Sequence, residues 1–530
     1  MAAPAASSPT FRILVLLLTF VVGGLLLFAR GMERDLNHDE HQFLAPGALL
    51  QRQGAIPYQD YPMFHLPNLT YIYGSLLRFT DHYVLAAKIV SVVASLIVLG
   101  ILLARIVRTK SFGSSGWTAP SLAAIAALLL TDPQFLWTSG KTWNHEVPTM
   151  FLMVAFVCQI GALIRNSLLL SCLSGFLVSL AVGTRLTILP AVIPFAASFF
   201  LLSQVTVRRR LQLFAVFGLA GVVGAAPSLF SFFTQRDAFL FCNLECPRLR
   251  LADIGDSRAA DNATWWRKLR YFVKEIVLLG QKDGEFRGSL VLFLAFSFSS
   301  VPLVWRWFRE RTSGGMFESA RLPALLSAAL VPFLALGCAL LTRYQYQHWF
   351  VVIPFVTLAV VEALPFVAAG HKAWRPWALS LLAVASVIMN GRAYVDPLDH
   401  VFEPSEWYGI RLHDYAATIK ADLPAGKVLT LAPSYPIEAG LPTYPEFAIG
   451  PFAWRLAHLV DPETRKRFHV IAPADLEEFL QKDPPAAILT GVEEEDLEAP
   501  LIDYAKAHGY RQVPLKKRRD VWIRPLPGPL

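Results

Sequence analysis

Apolar and polar positions fall in long blocks along this chain, not at the two-residue period of a half-buried strand. Residues 11–29 are nearly all apolar and long enough to cross a bilayer as one helix. A polar segment, residues 31–82, follows with no comparable run. Further apolar runs occupy 83–107, 117–137, 147–164, 168–182, 186–202, 211–233, 289–305, 322–341, 349–367 and 377–390. The pattern predicts eleven transmembrane helices, with Gly183, Thr184 and Arg185 alone separating the fifth from the sixth. From Ala393 onward the runs stop. Residues 427–432, 469–472, 486–490 and 521–524 are expected as short strands, and 474–481 and 497–508 as amphipathic helices between them. That alternation predicts a small α/β domain. The expected fold class is a polytopic α-helical membrane protein over residues 1–392, with an α/β domain over 393–530.

The polar segments have internal pattern too. Phe43, Pro46, Ala48, Leu49 and Leu50 suit a short helix lying on the membrane surface. Gly54 ends it. Pro57, Pro62 and Pro67 then forbid regular helix. Residues 66–79 suit a second interfacial helix, and 265–279 an amphipathic one inside the loop 234–288.

Composition agrees with the pattern. Of 530 residues, 54% are hydrophobic and 17% charged, which excludes an ordinary soluble domain. A net charge of +8 would suggest nucleic acid as partner in a soluble protein. Here the basic residues sit in short loops: Arg105, Arg108 and Lys110; Arg165; Arg208, Arg209 and Arg210; Arg306, Arg309 and Arg311; Lys372 and Arg375. All fall on one side if the runs alternate, and the positive-inside rule makes that side the cytoplasm. Loops 31–82 and 234–288 and the C-terminal domain then face outward, and no nucleic-acid partner is implied. Arg30-Gly31-Met32-Glu33 follows the first run where a signal peptide would carry small residues, so that run reads as a retained helix. Cys158, Cys172 and Cys338 lie in apolar runs as packing residues. Cys242 and Cys246 share a polar loop, where a disulfide is expected if the compartment is oxidising. No second cysteine pair exists to complete a zinc site with them. The sequons at Asn68 and Asn262 are taken as chance.

Candidate chemistry concentrates in Asn37-His38-Asp39-Glu40-His41. Two carboxylates flanked by two histidines, next to a bilayer, must stay solvated, paired or in use. A solvated charged loop and a functional cluster both fit. Asp60 and His65 follow in the turn-rich part. Glu146, in Trp143-Asn144-His145-Glu146, stands at a helix start where the dipole favours its charge. Arg185 breaks the charge bias on the outer side; a phosphate or an acidic neighbour such as Glu146 would suit it. Arg343 and His348 lie in a short outer loop whose Tyr344, Tyr346 and Trp349 also fit an interfacial aromatic belt.

An acidic pair directly after the first transmembrane helix, then Ala48, Gly54-x-x-x-Tyr58-x-Asp60, then His65-x-Pro67, resembles the GT-C class of integral-membrane glycosyltransferases. Among these, it is most similar to bacterial relatives of protein O-mannosyltransferases and lipid A aminoarabinose transferases. The resemblance implies a GT-C fold and a polyprenyl-phosphate sugar as donor. It implies hexosyl or pentosyl transfer to a lipid, glycan or protein acceptor, with membrane lipids around the enzyme. Asp39 would be the general base, a role that suits a carboxylate. Glu40 and Glu146 would orient Asp39 or hold a divalent cation, the one candidate cofactor, with Asp39, Glu40 and His41 as its ligands. Arg185, Arg343 and His348 would hold the donor phosphate, and Asp60 and His65 would belong to the substrate loop. The family has Asp where this chain has Glu146. The expected location is the cytoplasmic (inner) membrane, with active site and C-terminal domain on the periplasmic side. The alternatives are a transporter or flippase for a lipid-linked saccharide and a non-catalytic envelope assembly protein. Many transporters carry internal repeats, and none is found here.

Overall fold

The computed structural model describes residues 9–108, 119–201, 205–252, 265–279, 289–312, 319–340, 346–368, 374–421, 423–515 and 519–525. Nearly every apolar run is helical, because a chain in lipid must satisfy its backbone polar groups internally. Among the described residues, seven helices are long and apolar enough to cross a membrane, or eight if one bent pair counts as a single span. They include α1 (Pro9–Glu33), which precedes the polar segment. In that segment α2 (His38–Gln53) is followed by α3 (Asn68–Leu76). The next span is α4 (Tyr83–Arg108).

Three runs depart from the simple count, two of them at an identifiable residue. The third breaks into α5 (Ala119–Leu130) and α6 (Pro133–Thr138). Asp132 stops it: its Oδ1 accepts from the backbone N–H of Gln134 and Phe135 at 3.0 and 3.1 Å, and Pro133 takes the first helical position. After α7 (Glu146–Arg165) and α8 (Leu168–Thr184), the sixth run forms a 3₁₀ turn, Leu186–Ala191, and a short helix, Val192–Ser198. The seventh bends by 57° between Val207–Gly224 and Ala226–Thr234, beside Pro227.

The polar segment folds as a surface layer. Asn37 caps α2: its side chain accepts from Asp39 N, while Glu40 reaches back to Asn37 N. Gly54 ends α2 in the left-handed region at φ 69°. Helix α2 lies against α3 so closely that a Cβ on Gly47 would meet the Tyr73 Cβ at 2.5 Å. The second interfacial helix is shorter than its pattern, with residues 77–79 tightening into a 3₁₀ turn. Asn68 is buried and donates to the carbonyls of Leu180 and Gly224, so this sequon is structural.

The last long helix, Trp374–Asn390, leads into the C-terminal region. Its sheet has four strands: β1 (Val428–Leu429), β2 (Ala487–Thr490), β3 (Arg511–Pro514) and β4 (Asp520–Ile523). The order is β1-β2-β4-β3, with β1 parallel to β2 and the other pairs antiparallel. The expected strand at 469–472 does not form. It starts at His469, held at φ 57°, and the segment is irregular. Strand β3 escapes the hydrophobic pattern because it is a sheet edge with exposed Arg511 and Gln512.

This region packs on the membrane helices. Arg52 of α2 donates to the carbonyls of Ile437 and Gly440 at 3.1 and 2.6 Å. Glu438 accepts from Val84 N at 2.9 Å, capping α4 from a distant part of the chain. Trp407 meets Phe28 edge-on at 5.0 Å, a pair worth about 1 kcal/mol beyond its buried area. One apolar cluster runs from Phe43 and Tyr73 through Tyr408 and Phe452 to Val521, so the surface layer and the α/β region share a core.

Candidate functional site

A cavity of about 490 Å³ lies between the membrane helices and the C-terminal region. Asp39, Gln42, His65, Asn144, His145, Arg185, Arg250, Gln347, His348, Phe452 and Arg455 are on its wall. These residues come from points far apart in sequence, and the helix ends bring them together.

Asp39 sits in the first turn of α2. Its Oδ1 lies 3.4 Å from His38 Nε2, and its Oδ2 accepts from Gln347 Nε2 at 3.4 Å. Burial pushes its carboxyl above the usual range, and the His38 charge opposes that shift. Successive helical residues turn by about 100°, so the neighbours of Asp39 face elsewhere. Glu40 points into the protein and is fully buried. Its oxygens accept from Asn37 N at 2.6 Å, Thr142 N at 2.7 Å and Thr142 Oγ1 at 2.9 Å. His41 is buried beside Tyr435, with ring centroids 6.0 Å apart. The expected metal set of Asp39, Glu40 and His41 therefore does not converge. Glu40 has its oxygens engaged by backbone and hydroxyl donors, and the three are not a group within ligating reach of one another. They do not fit a divalent ion. Glu40 ties α2 to the segment before α7 and does not reach the cavity.

Removing that tie is expected to cost stability. Glu40→Ala leaves two buried donors on Thr142 and the part-buried N–H of Asn37 without an acceptor, at about 1–3 kcal/mol for each buried group left unmet. Thermal unfolding of the detergent-solubilised protein should show a clear drop in Tm, with a smaller drop for Glu40→Gln. An unchanged Tm would contradict this tie.

Glu146 begins α7, as its pattern predicts, and is buried. Its Oε1 accepts from Gly140 N at 3.0 Å, and it is not on the cavity wall. Asp60 is also elsewhere. Its Oδ2 accepts from Ile56 N at 2.7 Å, closing a turn beside a second pocket lined by Lys427, Glu446 and His469. That turn still serves the cavity. Tyr58, held at φ 68°, donates to the His65 carbonyl at 2.6 Å. Burial lowers His65 to about 3, so its ring is neutral at physiological pH. Nε2–H then donates to Gln42 Oε1 at 2.9 Å, and Nδ1 faces Asn144 Nδ2 at 3.5 Å.

Arg185 stands where α8 ends, in extended backbone. Its Nε donates to Thr187 Oγ1 at 2.8 Å and one Nη to Asn144 Oδ1 at 3.0 Å, and that Nη also contacts His145 Nδ1. Among the described residues no carboxylate lies within ion-pair distance of Arg185; Glu146, its acidic candidate from the sequence, bonds Gly140 instead. His348 lines the cavity from the 3₁₀ turn Tyr346–Val351. Arg343 lies outside the described residues.

Cys242 and Cys246 are both free, buried thiols, and Cys246 is on the cavity wall. The expected disulfide is absent. The segment is a π-helical turn, Phe241–Glu245, running into the helix Cys246–Ala252, and it holds the two side chains as separate thiols.

Gln42, Gln347 and Arg250 join the wall without having stood out in the sequence, and Lys141 lies against Trp137 and Trp143 of that wall. Arg250 lies over the rings of Phe64 and Phe452 at 5.5 and 4.9 Å. Lys141 is 4.1 Å from the ring centroids of both Trp137 and Trp143, and burial lowers it to about 7. Both are cations in expected outer loops, so the anomaly that singles out Arg185 also marks them. Among the named wall residues Asp39 is the one carboxylate, opposed by Arg185, Arg250 and Arg455. Arg455 is itself paired with Glu493 and Glu494 at 3.7 and 3.5 Å. The cavity can take a proton at Asp39 and an anion at Arg185.

No protein-family model matches the chain, and no curated protein sequence does. Solved structures do match. The structure of ArnT from Cupriavidus metallidurans bound to undecaprenyl phosphate aligns over 97% of this chain and 98% of that one, with a TM-score of 0.59 and 13% identity. The same protein in its apo state aligns over the same shares at a TM-score of 0.54 and 13% identity. At that identity the likeness is one of fold, and the chain has the polytopic GT-C architecture with a small C-terminal sheet.

Proposed function

We propose that this protein transfers a sugar from a polyprenyl-phosphate donor to the hydroxyl of a lipid, glycan or protein acceptor at the outer face of the cytoplasmic membrane. One observation carries the reading: a half-buried carboxylate, Asp39, and a buried guanidinium, Arg185, with no carboxylate partner among the described residues share one cavity. The shared fold supports it, because ArnT is bound to undecaprenyl phosphate in its structure. The one-sided clustering of basic loops supports the outward orientation. Residues 1–392 form the transferase unit. Residues 393–530 close the cavity from outside, with Phe452 and Arg455 on its wall.

In the proposed reaction the acceptor oxygen attacks the anomeric carbon. The bond from that carbon to the phosphate oxygen breaks, and the acceptor proton passes to Asp39. Direct displacement inverts the anomeric centre. The leaving phosphate gains negative charge as its bond breaks, which a preorganised guanidinium stabilises. Arg185 and His348 are on the wall for that role, and Arg343 is the third candidate. Asn144 and Thr187 hold Arg185 in place. No step needs a nucleotide or a metal ligand set at Asp39.

The test is release of polyprenyl phosphate by the purified protein, offered a panel of polyprenyl-phosphate hexoses and pentoses with hydroxyl acceptors. Acceptor-dependent release with at least one donor is expected. No release from any member of the panel would count against a transferase and favour a carrier of lipid-linked saccharide.

A further inference from the structure

A second cluster of ligating side chains stands at the mouth of α4. Asp81 and His82 lie in the turn that leads into it, and His413 lies on the helix Tyr408–Ala421 of the C-terminal region. One ligating atom from each of the three is within 4.8 Å of the other two. The rings of His82 and His413 are stacked, with centroids 3.7 Å apart and planes inclined by 13°. Asp81 Oδ1 is 2.7 Å from His82 Nδ1. None of the three is on the cavity wall.

The setting behind the cluster is ordered. His413 Nδ1 is 3.0 Å from Glu438 Oε1, and the other Glu438 oxygen accepts from Val84 N at 2.9 Å. Glu438 is buried, with a side chain 0% exposed. A carboxylate bonded to one ring nitrogen fixes the tautomer and makes the other nitrogen the stronger ligand. Nε2 is thus the atom His413 has to offer.

We propose that Asp81, His82 and His413 bind a divalent transition-metal ion that fastens the C-terminal α/β region to the start of α4. Two imidazoles and one carboxylate suit zinc, with water as fourth ligand on the exposed side. The ion would join two elements more than three hundred residues apart in sequence, so its role is to hold the two regions together, apart from sugar transfer.

The test uses the full-length protein in detergent, stripped by chelator, gel-filtered with zinc chloride, and assayed for bound metal and for Tm. The wild type is expected to retain one zinc per chain more than His82→Ala, and to gain a few degrees in Tm with zinc that His82→Ala does not gain. His82→Asn, which keeps a polar side chain in that turn, should behave like His82→Ala. Equal zinc retention by wild type and both variants overturns the proposal, as does a wild type that takes up no zinc. These readouts are metal content and stability, so they do not depend on the proposed transfer activity.

Discussion

Asp39→Asn is expected to lower turnover by about a hundred- to ten-thousand-fold, the usual contribution of a general base. The amide has the shape of the carboxylate and still offers an oxygen to Gln347 Nε2. What it loses is the capacity to take a proton. The pH dependence sharpens the expectation. Burial raises the Asp39 carboxyl above its ordinary value. The wild-type rate should therefore fall as pH drops through a point higher than that of a solvated aspartate, and the variant should lose this limb. Stability moves the other way. An acid whose folded value is raised stabilises the fold while it is protonated, and that contribution is lost as pH rises through the folded value. At neutral pH the ionised Asp39 thus costs stability, and the uncharged amide should melt no lower than wild type. Lost activity with retained Tm separates a base from a structural carboxylate. A folded Asp39→Asn protein that releases polyprenyl phosphate at the wild-type rate would remove Asp39 from the mechanism.

The contrast between Asp39 and its neighbours shows what the sequence discloses. The position of an acidic cluster directly after an apolar run is readable, and it points to the cavity. The direction of each side chain depends on helical phase, and α2 starts at His38. The signal for that start is Asn37-x-x-Glu40, a capping pattern. That spacing alone suits Glu40 to be a backbone partner. The membrane helices are legible for a related reason: twenty apolar residues have few other options. Their breaks are not, because one capping Asp132 or a pair of prolines hardly changes the hydropathy of a run. Gln347 is beyond reach for a different cause. It meets Asp39 across 308 positions, from a short 3₁₀ turn that has no hydrophobic period of its own. Strand β3 is illegible because its edge position demands no alternation.

Arg185→Ala is expected to lower kcat/KM by about a hundred- to a thousand-fold, the scale for removing one donor from a developing anion. Donor binding should weaken with it, because the phosphate is anionic both before and during bond breaking. Arg185→Lys should fall between, keeping charge but losing the planar fork. Stability is the discriminating measurement. Arg185 bonds Asn144, Thr187 and His145, all uncharged when His145 is neutral, and burial holds His145 well below its usual value. Truncation therefore strands no carboxylate. Arg105 provides the comparison. It pairs with Glu362 in two hydrogen bonds among the membrane helices. Arg105→Ala would leave a buried carboxylate without its partner, at about 3–5 kcal/mol. The Tm should thus drop steeply for Arg105→Ala and little for Arg185→Ala. A steep drop in both would make Arg185 a structural cation, and a folded Arg185→Ala protein with wild-type donor affinity would place the phosphate elsewhere in the cavity.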